Sequence, residues 1–113
     1  MVTGTHILIN AGAGRALTDL PAFKTFILEA IAAFDLEQVG NVFHAFEGGG
    51  FTCVLCLTES HLALHTWPEH NFYTCDLYLC DYSRNNRQTA IDLCDKIKIY
   101  FGSYNVKEQI VSR

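Results

Sequence analysis

Basic residues are scarce in this chain: eight lysines and arginines stand against twelve acids in 113 residues, for a formal charge of −4. A nucleic-acid surface needs clustered cations, and Arg84, Arg87, Lys96 and Lys98 are too scattered to track a phosphate backbone. Long apolar runs are missing too. No window approaches the roughly 18 uninterrupted apolar residues of a membrane helix. The opening Met1-Val2-Thr3-Gly4-Thr5-His6 has neither a basic start nor the apolar core of an export signal. The expectation is a cytoplasmic protein with no nucleic-acid and no membrane partner. Low-complexity tracts, domain linkers and runs of like charge are absent as well. What remains is half apolar and 18% charged, the composition of one packed domain spanning 1–113.

The five cysteines, at 53, 56, 75, 80 and 94, are an odd number. Without an export signal, reduced thiols are expected rather than a disulfide framework. Cys53 and Cys56 have the C-x-x-C spacing, and Cys75 with Cys80 offers a conceivable second pair of zinc ligands. Both pairs lie in apolar runs that read as strands, where residues three or five apart point to opposite faces. Zinc knuckles need a tight turn, usually with glycine, and neither pair has one. No metal site is expected; thiols packed as small hydrophobes fit better.

Hydrophobic period divides the chain. Residues 5–10 read as a strand, stopped by Ala11-Gly12-Ala13-Gly14 as a flexible turn; no Gly-Lys-Ser/Thr follows to make a phosphate loop. Thr18-Asp19 supplies a helix cap, and Pro21 suits a first turn. Phe23, Phe26, Ile27, Ala30, Ile31 and Phe34 then recur at helical spacing as a core-facing stripe. Strands follow at 39–46 and 51–57, with the glycine turn of 47–50 between them. In 61–65 polar and apolar residues alternate, placing His61, Ala63 and His65 on one face. Trp67-Pro68 breaks that strand and 72–80 forms another. After a polar connection with a possible Asn cap, Ala90, Leu93, Cys94, Ile97 and Phe101 mark a second helix, stopped by Gly102. Residues 104–111 make a last strand.

The order β-α-β-β-β-β-α-β predicts an α+β two-layer sandwich, a mostly antiparallel sheet with two helices on one face. Strands such as 53–57 are apolar on both sides. The uncovered face is therefore expected to meet a second copy of the chain in a dimer.

The stretch Thr58-Glu59-Ser60-His61-Leu62-Ala63-Leu64-His65-Thr66-Trp67-Pro68-Glu69 carries the chemistry. A serine between a carboxylate and an imidazole, where two strands meet, has the makings of an activated nucleophile. A polar turn with local hydrogen bonds from Thr58 and Ser60 accounts for the same residues. His65 fits a satisfied histidine as well as a catalytic one. No Asp or Asn stands in a recognisable third position, so a hydrolase triad is not persuasive. Spacing alone leaves the nucleophile and the turn both open.

This segment resembles the self-processing signature of the short prokaryotic S-adenosylmethionine decarboxylase proenzymes. Gly4-Thr5-His6, Phe43-His44-Ala45-Phe46-Glu47 and the strand from Asp76 to Cys80 match the wider frame, so the resemblance spans nearly the whole chain. It implies self-cleavage between Glu59 and Ser60, with Ser60 Oγ attacking the Glu59 carbonyl. Ser60 then becomes a covalent pyruvoyl cofactor that forms the Schiff base with the substrate amine. It further implies that Thr52 and His65 assist processing and that Cys80 is the proton donor. Phe46 would stack on the adenine of the small-molecule substrate, S-adenosylmethionine, and Glu69 would hold its ribose. The working form would be a homodimer of cleaved protomers, with both members contributing to each site. Its product would be the aminopropyl donor for spermidine synthesis.

The chain also departs from the family pattern. Thr52 stands where serine is usual, and Asn10 where the first strand usually carries an acid; the cysteine shortly after that acid is absent. Asp81 follows Cys80 in place of glycine. The added carboxylate raises a second reading, decarboxylation of a basic amino acid such as ornithine or arginine. A third, from another class, is a non-processing paralogue that binds or activates a partner.

Overall fold

The computed structural model describes residues 1–113. In chain order the elements are β1 (Gly4–Ala13), α1 (Leu20–Ala33), β2 (Gln38–Ala45), β3 (Phe51–Leu57), β4 (Ser60–Trp67), a 3-10 turn (Pro68–His70), β5 (Phe72–Cys80), α2 (Arg87–Tyr100) and β6 (Ser103–Ser112). The strands form one six-stranded sheet, ordered β2-β3-β4-β5-β1-β6, and every neighbouring pair is antiparallel. Strands β2 to β5 form a meander joined by short turns, and the two terminal strands close its far side. Neither helix is long and apolar enough to cross a membrane.

Alternation explains the layers. Ile7, Ile9 and Ala11 of β1, Cys53 and Leu55 of β3, Leu62 and Leu64 of β4, and Cys75 and Leu77 of β5 are all buried. They form a single core with Phe23, Ile27 and Ile31 of α1 and Leu93, Cys94 and Ile97 of α2. Phe101 ties this core together. Its ring lies 5.6 Å from Phe23 and 4.5 Å from Tyr73, and such aromatic pairs each add about 1 kcal/mol beyond their buried area. Asp19 caps α1, its Oδ1 accepting from the Ala22 amide at 3.0 Å.

The first strand is longer than its sequence suggests. Instead of turning at Ala11, β1 continues to Ala13, with Gly12 paired to Phe72 on one side and Tyr104 on the other. A Cβ at Gly12 would lie 2.5 Å from the Tyr104 ring. The glycine there makes room for an aromatic side chain within the strand, and is not a flexible hinge.

The opposite face of the sheet carries no helix. His6, Leu8, Thr52, Val54, His61, Ala63, His65, Asp76, Tyr78 and Cys80 alternate with the core residues and remain half-buried or exposed. The C-x-x-C pair is divided between the faces, Cys53 buried and Cys56 exposed. Cys75 and Cys80 likewise alternate.

Candidate active site

The hairpin between β3 and β4 is unusually tight. Leu57 pairs with Ser60, leaving only Thr58 and Glu59 to turn the chain. Two-residue hairpins normally use positive φ within the turn, supplied by Gly or Asn. Here neither turn residue does so, and Ser60 itself sits at φ 125°. For a residue with a Cβ this region costs about 1–3 kcal/mol. The strain falls on the serine that the sequence singles out.

The peptide bond before Ser60 is held from several directions. The Cys80 amide donates to the Glu59 carbonyl oxygen at 3.0 Å, and the Thr58 amide donates to the Glu37 carbonyl at 2.9 Å. The Glu59 carboxylate accepts from the Ser83 hydroxyl and from Asn86 Nδ2. The same Asn86 amide donates to the Cys80 carbonyl at 2.9 Å. The Ser83 hydrogen bond, above all, holds the Glu59 carboxyl below its ordinary range, against an opposing effect of burial.

Cys80 ends β5 on the helix-free face, where β1 passes close by. A Cβ at Gly4 would lie 2.6 Å from Cys80 Cα, and the Asp81 amide donates to the Thr3 carbonyl at 2.8 Å. Glycine at position 4 therefore allows the first strand to reach the end of β5. Burial pushes the thiols of Cys53 and Cys94 up to about 12, whereas Cys80 remains half-buried beside the turn.

A second cluster occupies the other end of β4. Thr52 and His65 are register partners across β3 and β4, and the Thr52 hydroxyl is hydrogen-bonded to His65 Nδ1. With Phe46, Trp67 and Glu69 they line a cavity of about 360 Å³. Phe46 is half exposed, its ring 4.9 Å from that of His44. Thr66 is buried beneath; its hydroxyl accepts from the Phe51 amide and donates to the Leu17 carbonyl, each at 2.9 Å.

Ser60 and His65 are five residues apart on one extended strand, roughly 17 Å at the rise of a β-strand. The predicted residues thus form two groups within a chain. Glu59, Ser60 and Cys80 gather at one end, and Phe46, Thr52, His65 and Glu69 at the other.

The family model described as S-adenosylmethionine decarboxylase matches residues 5–113. The chain belongs to the S-adenosylmethionine decarboxylase family. It is 31% identical over 112 residues to the S-adenosylmethionine decarboxylase proenzyme of Pyrobaculum aerophilum, covering 90% of this chain and 88% of that one. To the proenzyme of Symbiobacterium thermophilum it is 36% identical over 101 residues, covering 88% and 74%. The crystal structure of the adenosylmethionine decarboxylase from Aquifex aeolicus superposes with a TM-score of 0.87 at 25% identity, covering 99% of this chain and 91% of that one.

Against the family pattern, the Asp81 side chain has a local use. Its Oδ1 accepts from the Asn86 amide at 2.8 Å, bracing the entry to α2. Asn86 is the residue preceding α2, yet its side chain makes no capping bond to the helix. It is directed to Glu59 and Cys80 instead. Nothing in the sequence singled out Ser83 or Asn86 for the turn, because they lie 24 and 27 residues from Glu59 in a polar loop. His6 also takes a place on this face. Its ring lies 6.3 Å from His61 and 5.8 Å from Tyr78. Burial lowers the His6 pKa, partly offset by Asp76 at 3.9 Å.

Proposed function

We propose that this chain is a proenzyme that cleaves itself between Glu59 and Ser60 and then decarboxylates S-adenosylmethionine. The single observation carrying the cleavage is the strained Ser60, with the preceding carbonyl already on the Cys80 amide. Ser60 Oγ attacks the Glu59 carbonyl carbon, and the Cys80 N–H holds the oxygen on which negative charge develops. The Glu59–Ser60 C–N bond breaks, the nitrogen takes the hydroxyl proton, and an ester forms. Loss of the residue-60 Cα proton then breaks the Cβ–Oγ bond. This frees Glu59 as a terminal carboxylate and leaves dehydroalanine, which water hydrolyses with release of ammonia. Relief of the positive φ at Ser60 favours the forward direction.

The hydroxyl, the strain and the held carbonyl fit a group generated from the chain itself. Ser60 is the residue that would carry the resulting pyruvoyl, which would supply an electron-accepting carbonyl for a substrate amine and its departing carboxylate. Cys80 Sγ, at the same end of the sheet, returns a proton to the substrate carbon. Phe46 and Glu69 line one cavity, offering a ring for adenine and a carboxylate for the ribose hydroxyls.

Thr52 and His65 assist cleavage from a second copy of the chain. A two-fold axis lying between two helix-free faces and across their strands sets the Ser60 end of one β4 against the His65 end of the other. This is consistent with half-exposed Val54, Ala63 and Leu8 on that face. The homodimer thereby supplies what strand length separates within each chain.

Carbon dioxide release from purified protein, assayed separately with S-adenosylmethionine, ornithine and arginine, tests the substrate. Release from S-adenosylmethionine alone is expected. Release only from ornithine or arginine overturns the assignment, and an uncleaved chain inactive on all three indicates a binding or activating paralogue.

A further inference from the structure

We propose that Asn86 is a positioning residue for the backbone cleavage, the clamp that keeps the Glu59 carbonyl on its donor. The inference rests on reading Glu59–Ser60 as the scissile bond. Asn86 is completely buried at 0% exposure although it lies in an otherwise exposed polar loop. Its Nδ2 carries two protons and has two acceptors: the Glu59 carboxylate and the Cys80 carbonyl. These acceptors belong to the two partners of the bond at issue, because the Cys80 amide is what holds the Glu59 carbonyl. One side-chain amide thus fixes the side chain of the scissile residue to the main chain of its hydrogen-bond donor.

The amide is itself held at its remaining groups. Its Oδ1 accepts from Arg84 Nε at 3.0 Å, and its backbone N–H donates to Asp81 Oδ1 at 2.8 Å. Arg84 is anchored in turn, its Nη2 donating to the Phe34 carbonyl at 2.9 Å and the Asp35 carbonyl at 3.2 Å. The end of α1 and the entry to α2 therefore both bear on the turn through Asn86. Without the clamp the Thr58–Glu37 and Ser83–Glu59 hydrogen bonds remain, but Glu59 loses its side-chain tie to Cys80. The turn can then shift away from β5, and Ser60 can relax toward negative φ. Both movements take the nucleophile and carbonyl out of their reactive arrangement.

The test is the rate of precursor cleavage after a pulse of cell-free synthesis, followed on a denaturing gel. Asn86→Ala and Glu59→Ala should each slow cleavage by about tenfold to a hundredfold, the scale of a small misplacement of reacting groups. The double variant should be slowed by clearly less than the product of the two single effects, because the changes share the Asn86–Glu59 contact although each also removes one of its own. Glu59→Gln keeps an acceptor for Asn86 and should restore most of the rate. Melting temperatures on a Ser60→Ala background, where all variants remain uncleaved, separate slow chemistry from lost folding. If Asn86→Ala does not fold, the Glu59 variants decide: wild-type cleavage by Glu59→Ala overturns the clamp. Multiplicative slowing in a folded double variant, or wild-type cleavage by folded Asn86→Ala, overturns it too. A wild-type chain that never cleaves refutes the scissile-bond reading itself, and the clamp with it.

Discussion

The amide of Cys80 donates to the carbonyl oxygen of Glu59 at 3.0 Å, so the proposed mechanism takes two separate groups of Cys80 into two separate steps. Its main chain holds the proposed scissile bond, and its thiol, half-buried on the helix-free face, is the proposed proton donor.

Cys80→Ala should separate those roles. The substitution keeps the N–H, so cleavage continues. Removing a general acid should lower kcat by about a hundredfold or more. Gel analysis and carbon dioxide release on the same sample measure both, and unchanged turnover removes the thiol from the mechanism.

The strain at Ser60 predicts a difference between two uncleavable variants. Neither Ser60→Ala nor Ser60→Gly has the nucleophile, so both should remain a single chain on a denaturing gel. Glycine accepts φ 125° without a Cβ penalty. Ser60→Gly should therefore be more stable than Ser60→Ala by about 1 kcal/mol in urea unfolding. Equal stabilities would limit the strain to the roughly 0.5–1 kcal/mol that glycine loses in chain entropy.

Much of this arrangement was legible before the fold was known. The stripe of Phe23, Ile27 and Ile31 and the alternation of His61, Ala63 and His65 each set a buried and an open face. The division of the site was not legible, because Ser60 reads as part of the turn before a strand over 61–65, and only the fold carries β4 back to Ser60. The clamp on Glu59 was not legible. Asn86 reads as a helix cap by type and position, and only the folded chain brings it to a turn 27 residues away. Gly12 reads as a turn because its reason, the ring of Tyr104, lies on a distant strand.

Subunit mixing tests the divided site. His65→Asn alone should cleave slowly, and Ser60→Ala not at all. In a mixed dimer the Ser60→Ala chain still supplies Thr52 and His65, so the His65→Asn chain should regain cleavage. Failure of co-expression to restore it, with mixed dimers present, contradicts a site built from two chains.

Acidification should destabilise the uncleaved Ser60→Ala protein in two windows. The His6 pKa is lowered in the folded chain, mainly by burial. The unfolded chain therefore binds the proton first, and stability falls as pH drops from about 6.5 toward the folded value. The Glu59 carboxyl is also lowered on folding, chiefly by Ser83. Its contribution is present above the ordinary glutamate value and is lost as pH falls through the folded one. Adding Glu59→Gln should flatten the acidic window alone in melting temperature against pH. An unchanged profile would deny the carboxylate its hydrogen-bonded state.

Intact-mass spectrometry of the purified protein tests the central claim most directly. Two chains are predicted, residues 1–59 ending in a free carboxylate and residues 60–113 lighter than a serine-started fragment by one ammonia. A single species at the full-length mass, or a second fragment that retains its serine amine, would contradict it.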